Sequence, residues 1–235
     1  MKRKKNAVIV LIILCFALFV FLMIRSTGKI ALETSSTPQK QAPILIIDAG
    51  HGGEDGGAVV GDVLEKVINL SVAQDISDLL TLCGFETRMT RTTDDALTRE
   101  GADVKKRKYN DMKLRLDMYN SSDDNIILSI HQNKFTTSSS KGAQVFFSPN
   151  NERSQLLAES IRLAVKNSMQ PENERSCKAA GKEIYLLKNT NNPAVLVECG
   201  FLSNSEERER LLDEGYQKQM ALAVVSGFLD YYNSN

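Results

Sequence analysis

The chain has 235 residues, of which 42% are hydrophobic, enough for a sizeable core. Lys plus Arg and Asp plus Glu both number 29, so no long-range field favours nucleic acid or an acidic polymer, and any partner must be recognised locally. Four cysteines show no CxxC spacing, and Cys15 falls inside an apolar run, so the thiols read as core or incidental groups rather than a disulfide framework.

The chain opens with MKRKK, followed by the uncharged apolar run AVIVLIILCFALFVFLMI at residues 7–24. At about 1.5 Å per residue this run nearly spans a hydrocarbon core of roughly 30 Å. Residues 1–25 therefore read as a transmembrane signal anchor, or failing that a cleaved signal peptide, with the basic cluster cytoplasmic and everything after it outside the membrane. Residues 26–43, STGKIALETSSTPQKQAP, are polar and aperiodic and read as a flexible linker. Residues 44–235 read as a single domain, of a size that could house a catalytic site.

Within that domain ILIID (44–48) is a predicted buried strand. LEKVINLSVAQDISDLLTLC (64–83) is a predicted helix that places Leu64, Val67, Ile68, Val72, Ile76, Leu79, Leu80 and Cys83 on one face before Gly84 ends it. ETRMT (86–90) is a strand, DMKLRLDMYN (111–120) a helix, and IILSI (126–130) and AQVFFS (143–148) are strands. SQLLAESIRLAVKNSM (154–169) is an amphipathic helix, EIYLL (183–187) and AVLVE (194–198) are strands, and EERERLLD and YQKQMALAVVSGFLDYY are closing helices. Apolar strands separated by helices predict an α/β fold, a mostly parallel twisted sheet with helices on both faces.

In such sheets functional residues gather at the carboxyl ends of strands. His51 and His131 are the chain's two histidines, and both follow apolar strands, while Glu198 ends AVLVE. Glu65 sits in the first turn of the helix that leaves the His51 loop. Two imidazoles and one carboxylate form a known ligand set for catalytic zinc with one position left open. A further carboxylate held off the metal can carry a proton from water to a leaving amine, and Glu198 is placed for that. Glu54 and Asp55 in the loop GHGGEDGG are rival carboxylates; Glu65 is preferred because a helix holds a side chain more rigidly than a glycine loop, and Glu54 is kept as its main rival. The loop lacks both GxxxxGK[ST] and GxGxxG, and its acids would repel phosphate.

With these residues in view, the chain resembles the zinc-dependent N-acetylmuramoyl-L-alanine amidases, the LytC-type cell-wall amidase family. The resemblance spans IIDAGHGGEDGGAVVGDVLEK, TRTTDDALTRE, RLDMYN, IILSIHQN, AVLVECGFLSN and YQKQMALAVVSGFLDYY in order. It implies His51, Glu65 and His131 as Zn²⁺ ligands, Glu198 as the catalytic glutamate, and Asn133 and Arg115 as residues supporting the site or contacting substrate. Ala49, Lys134 and Cys199 depart from the usual pattern without removing a ligand. Within the family the direct fusion of an apolar N-terminus to the domain, the absence of wall-binding repeats and the long basic stretch after TRTTDD resemble the germination-specific amidases of endospore formers. The expected substrate is therefore peptidoglycan, of spore cortex or cell wall, acted on in an extracytoplasmic compartment at the spore envelope. An accessory activator protein and membrane attachment through the N-terminal helix are the expected partners, and no nucleic acid. A zinc-dependent deacetylase or peptidase acting on the wall, or a non-catalytic wall-binding module, are the alternatives. The basic residues Arg99, Lys105, Lys106, Arg107, Lys108, Lys113 and Arg115 read either as a solvated face or as a contact with anionic wall or an accessory protein.

Overall fold

The computed structural model describes residue 18 and residues 43–234. The expected signal anchor and linker lie outside these residues, and among the described residues no helix is long and apolar enough to cross a membrane. The strands are β1 (Leu45–Ala49), β2 (Val59–Val60), β3 (Val63–Leu64), β4 (Thr87–Met89), β5 (Ile126–Asn133), β6 (Gln144–Phe147), β7 (Lys178–Ala179) and β8 (Ala194–Phe201). The helices are α1 (Glu65–Leu82), α2 (Val104–Tyr119), α3 (Glu152–Ser168), α4 (Tyr185–Asn189), α5 (Ser205–Leu212) and α6 (Glu214–Ser234). Six strands form one sheet in the order β4-β1-β5-β8-β6-β7. The pairs β4/β1, β1/β5, β5/β8 and β6/β7 are parallel, and only β6/β8 is antiparallel.

Successive residues of a strand point to opposite faces, and that sorts the sheet into two unlike surfaces. Leu45, Ile47 and Ala49 of β1, Ile126, Leu128 and Ile130 of β5, and Val195, Val197 and Cys199 of β8 enter the main core beneath α1, α3 and α6. The intervening positions Ile46, Ile127, Ala194 and Leu196 form a smaller cluster with Tyr119 of α2 and Leu187 of α4. On that second face the apolar series gives way, toward the carboxyl ends, to Asp48, Ser129, His131 and Glu198.

Several local expectations are corrected. EIYLL is not a strand: Lys188 N–H bonds the Ile184 carbonyl and Thr190 N–H bonds that of Leu186, making the short helix α4 with Leu187 buried. A short apolar run has no period that tells a strand from a buried helix. The edge strand is instead β7, whose Lys178 and Ala179 carry no apolar signal. Helix α2 begins seven residues before the predicted 111, capped by the Asp103 side chain accepting from Lys106 N–H, because its first turns are basic and show no apolar stripe. On α1, Val67 and Cys83 are exposed rather than packed. Leu64 belongs to β3, so the buried stripe runs Glu65, Ile68, Asn69, Val72, Ile76 and Leu80. Strands β5 and β8 also continue past their apolar runs, so His131 and Glu198 lie within the ladder, where they are Cα partners.

Candidate metal centre

Three elements deliver the central side chains. His51 leaves the end of β1 in a left-handed conformation, φ 62°, the only non-glycine residue with positive φ among those described. Such a conformation is costly for a residue with a Cβ and persists only where its surroundings hold it. Here the peptide carbonyls around it are gripped from two sides. Arg91 Nε and Arg115 Nη1 donate to Ala49 O at 2.9 and 2.8 Å, Arg91 Nη2 and Asn69 Nδ2 donate to Gly50 O at 2.9 and 3.2 Å, and Arg115 Nη2 donates to His51 O at 2.6 Å. Gly50 must lack a side chain, because a Cβ there would collide with the imidazole of His131.

Glu65 extends the buried stripe of α1 to the sheet edge and is 3% exposed. Its Oε1 lies 2.9 Å from His131 Nδ1 and 3.3 Å from His51 Nε2, and it accepts from Asn69 Nδ2 at 3.0 Å and from Gln132 N–H at 3.1 Å. Its Oε2 accepts from Ala58 N–H at 2.7 Å. Although burial disfavours its charge, the two imidazoles hold this carboxyl well below the usual range. The two rings meet edge to face with centroids 5.0 Å apart. One ligating atom from each of His51, Glu65 and His131 falls within a group spanning 4.8 Å. Nitrogen, nitrogen and carboxylate oxygen around one point fit a borderline divalent cation.

Glu198 is beside His131 in the register of β5 and β8, and its Oε2 is buried with no hydrogen-bond partner. Burial pushes its pKa up to about 7, with the histidines opposing and Glu65 reinforcing the shift. A carboxyl with an unpartnered oxygen and a pKa near neutrality is able both to take and to return a proton.

Beneath these groups lies an ionic floor. Asp48 and Arg115 are buried and paired at 2.5 Å; Arg115 also bonds Asp111 at 2.7 Å. Tyr119 and Ser129 hydroxyls donate to Asp48 Oδ2 at 2.7 and 2.6 Å, and Thr90 donates to Oδ1 at 2.8 Å. Against the pull of burial, Arg115 and these donors hold Asp48 well below its ordinary pKa. Arg115, expected either to support the site or to touch substrate, gives its guanidinium to Asp48, Asp111 and the Ala49 and His51 carbonyls while also lining the cleft. Asn133 ends β5, half-buried, beyond a register shift that begins at His131.

The rival carboxylates are also separated. Glu54 is drawn outward to Arg107, with Oε1 2.5 Å from Nε and Oε2 2.9 Å from Nη2, so it is not near the two rings. Asp55 turns inward, its Oδ2 3.0 Å from His51 Nδ1. Sequence reasoning kept Glu54 as the rival ligand and foresaw neither the contact of Asp55 with His51 nor a role for Arg91, which lies in the stretch TRTTDDALTRE. A cleft of about 320 Å³ opens beside His51 and His131, between Lys108, Met112 and Arg115 of α2 and the Ile184–Leu187 stretch at α4. Cys199 is buried, and burial pushes its thiol up to about 12, which removes it from the chemistry.

The family model described as N-acetylmuramoyl-L-alanine amidase matches residues 45–230. The germination-specific N-acetylmuramoyl-L-alanine amidase of Bacillus subtilis (strain 168) is 34% identical over 190 residues, covering 80% of this chain and 79% of the relative. The CwlD amidase from Clostridioides difficile, solved in complex with the GerS lipoprotein, superposes with TM-score 0.79 at 35% identity, covering 82% of this chain and 100% of that one. The catalytic domain of CwlV, an N-acetylmuramoyl-L-alanine amidase from Bacillus (Paenibacillus) polymyxa, gives TM-score 0.67 at 26% identity over 82% of this chain and 99% of that one.

Proposed function

The chain belongs to the N-acetylmuramoyl-L-alanine amidase family, and from that premise we propose that it is a zinc enzyme that hydrolyses the amide between the lactyl carbonyl of N-acetylmuramic acid and L-alanine in peptidoglycan. The observation that carries the zinc assignment is the convergence of His51, Glu65 and His131 on one point beside an open cleft. Zinc held there supplies Lewis acidity, polarising a carbonyl oxygen and acidifying water. The chain's own residues do the rest. Glu198 takes a proton from the attacking water, whose oxygen bonds to the carbonyl carbon. As the carbon–nitrogen bond breaks, the same carboxyl returns the proton to the departing nitrogen, giving a muramic acid carboxylate and a free alanine amino terminus. The floor of Asp48 and Arg115 fixes the carbonyls beneath His51, and the wall of Ile184 to Leu187 gives the glycan or its peptide an apolar side to lie against.

The likeness to germination-specific amidases supports action on spore cortex in an extracytoplasmic compartment. The apolar run 7–24 would hold the domain at the membrane, and the GerS complex of the clostridial relative supports an accessory protein as partner. Mass spectrometry of products released from purified peptidoglycan, with and without chelator, tests the reading. Chelator-sensitive release of peptides beginning with L-alanine is the expected result; release of acetate instead would make it a deacetylase, and unchanged peptidoglycan would leave a binding module.

A further inference from the structure

Two of the basic residues in the first turns of α2 form ion pairs within the molecule. Arg107 and Lys108, adjacent on the helix, reach two adjacent acids of the glycine loop: Arg107 takes Glu54, and Lys108 Nζ lies 2.7 Å from Asp55 Oδ1. The other oxygen of Asp55 faces His51 Nδ1 at 3.0 Å, while Nε2 of the same ring faces Glu65. The backbone around Asp55 is closed by reciprocal bonds, Gly52 N–H to Asp55 O and Asp55 N–H to Gly52 O, both 3.0 Å, and Gly57 N–H reaches Oδ1 at 3.3 Å. The backbone of Asp55 is thus fixed, and Lys108, His51 and Gly57 N–H together hold its carboxylate.

The two histidines are oriented by different means. His131 stands in the strand ladder with its ring lying over Gly50, whereas His51 sits on a loop, about a quarter exposed, its ring against Gly57 and edge to face with that of His131, and the loop gives it no ladder to fix its angle. An imidazole free to turn about its Cβ–Cγ bond presents either nitrogen or a carbon to the ligand point. A carboxylate on Nδ1 leaves Nε2 for the metal, the arrangement that outer-shell partners of metal-binding histidines provide. We propose that Asp55, braced by Lys108, is the positioning residue that aims His51 Nε2 at the metal, so that α2 sets the affinity of a site to which it contributes no ligand. Glu54 and Arg107 anchor the neighbouring residue of the loop but touch neither ring.

The inference rests on the zinc reading above, and its test separates the two. Zinc affinity of the full chain is measured by competition with a chromophoric chelator. Asp55→Ala is expected to weaken binding about 10- to 100-fold, with the melting temperature of the metal-free protein unchanged. Lys108→Ala weakens it less, Lys108→Arg restores it, and Glu54→Ala leaves it within about twofold, as for an exposed pair. Wild-type affinity in both Asp55→Ala and Lys108→Ala overturns the proposal. Should Asp55→Ala fail to fold, Asp55→Asn and Lys108→Ala carry the same comparison. Because the chain has only two histidines, imidazole ¹⁵N spectra of the zinc-free protein, recorded where the rings are neutral, report the His51 tautomer directly. A proton on Nδ1 in the wild type that is redistributed in the Asp55 variant supports the mechanism even if the bound metal proves not to be zinc; identical spectra in the two proteins sink it.

Discussion

On β5, Ile126, Leu128 and Ile130 turn into the layer of α1, α3 and α6, while Ile127, Ser129 and His131 turn toward α2 and the cleft. The first face is close-packed hydrocarbon, in which any residue of similar size and polarity would serve. The second carries buried charge, most of it committed to a named partner, Asp48 to Arg115, Glu65 to two histidines and His51 to Asp55, while Glu198 keeps one buried oxygen unpartnered. The contrast teaches that one strand supports stability and chemistry at once by giving each its own parity, at a separation of one residue. It also implies that the two faces fail differently when damaged.

The sharpest break in that contrast is Glu198→Gln. Turnover on muropeptides is expected to fall by about 10²- to 10⁴-fold, while zinc content and melting temperature hold, because only proton transfer is removed. Retained turnover would show that Glu198 is merely part of the wall. Next comes the floor. Arg115→Met leaves Asp48 ionised and buried without its cation, and urea unfolding should show a loss of about 3–5 kcal/mol. Replacing Asp48 and Arg115 together with apolar residues should lose less than Arg115→Met alone, which would sharpen the claim that the cost lies in the orphaned charge. On the hydrocarbon face, Leu128→Ala is expected to destabilise by about 2–5 kcal/mol, yet leave the specific activity of the folded enzyme unchanged. A drop in activity per folded molecule there would mean that the two faces are coupled.

The smallest effect is one of pH. Asp48 is held below its ordinary value of 3.8 in the folded chain, so its contribution to stability is present above that value and is lost as pH falls below it toward the folded pKa. The slope of stability against pH in this acid range should flatten in Asp48→Asn. An unchanged slope would assign the acid sensitivity to other carboxylates.

Much of this was legible in residue order. The alternation of strands and helices gave the layered sheet, and both histidines were marked by the apolar runs that precede them. Glu65 was preferred because a helix holds a side chain more rigidly than a glycine loop, and the structure puts it at the head of the buried stripe of Ile68, Val72 and Ile76. The misread elements share one cause: EIYLL carries an apolar pattern too short to have a period, and the first turns of α2 carry none.

What the sequence determined by itself was therefore the order of strands and helices and, on the strands, which face a residue occupies, since that follows from backbone periodicity and neighbours a few positions away; on α1 the same reasoning misplaced Val67 and Cys83. What only the tertiary structure decided was the choice between Glu54 and Asp55. Both are acids in one glycine loop, and local chemistry does not separate them. In the fold Asp55 turns inward to His51 and Glu54 outward, and the partners that fix them, Arg107 and Lys108, are more than 50 residues further along the chain. A contact of that range is made only when the sheet edge brings α2 against the loop, so the identity of the carboxylate at His51 is a property of the folded molecule.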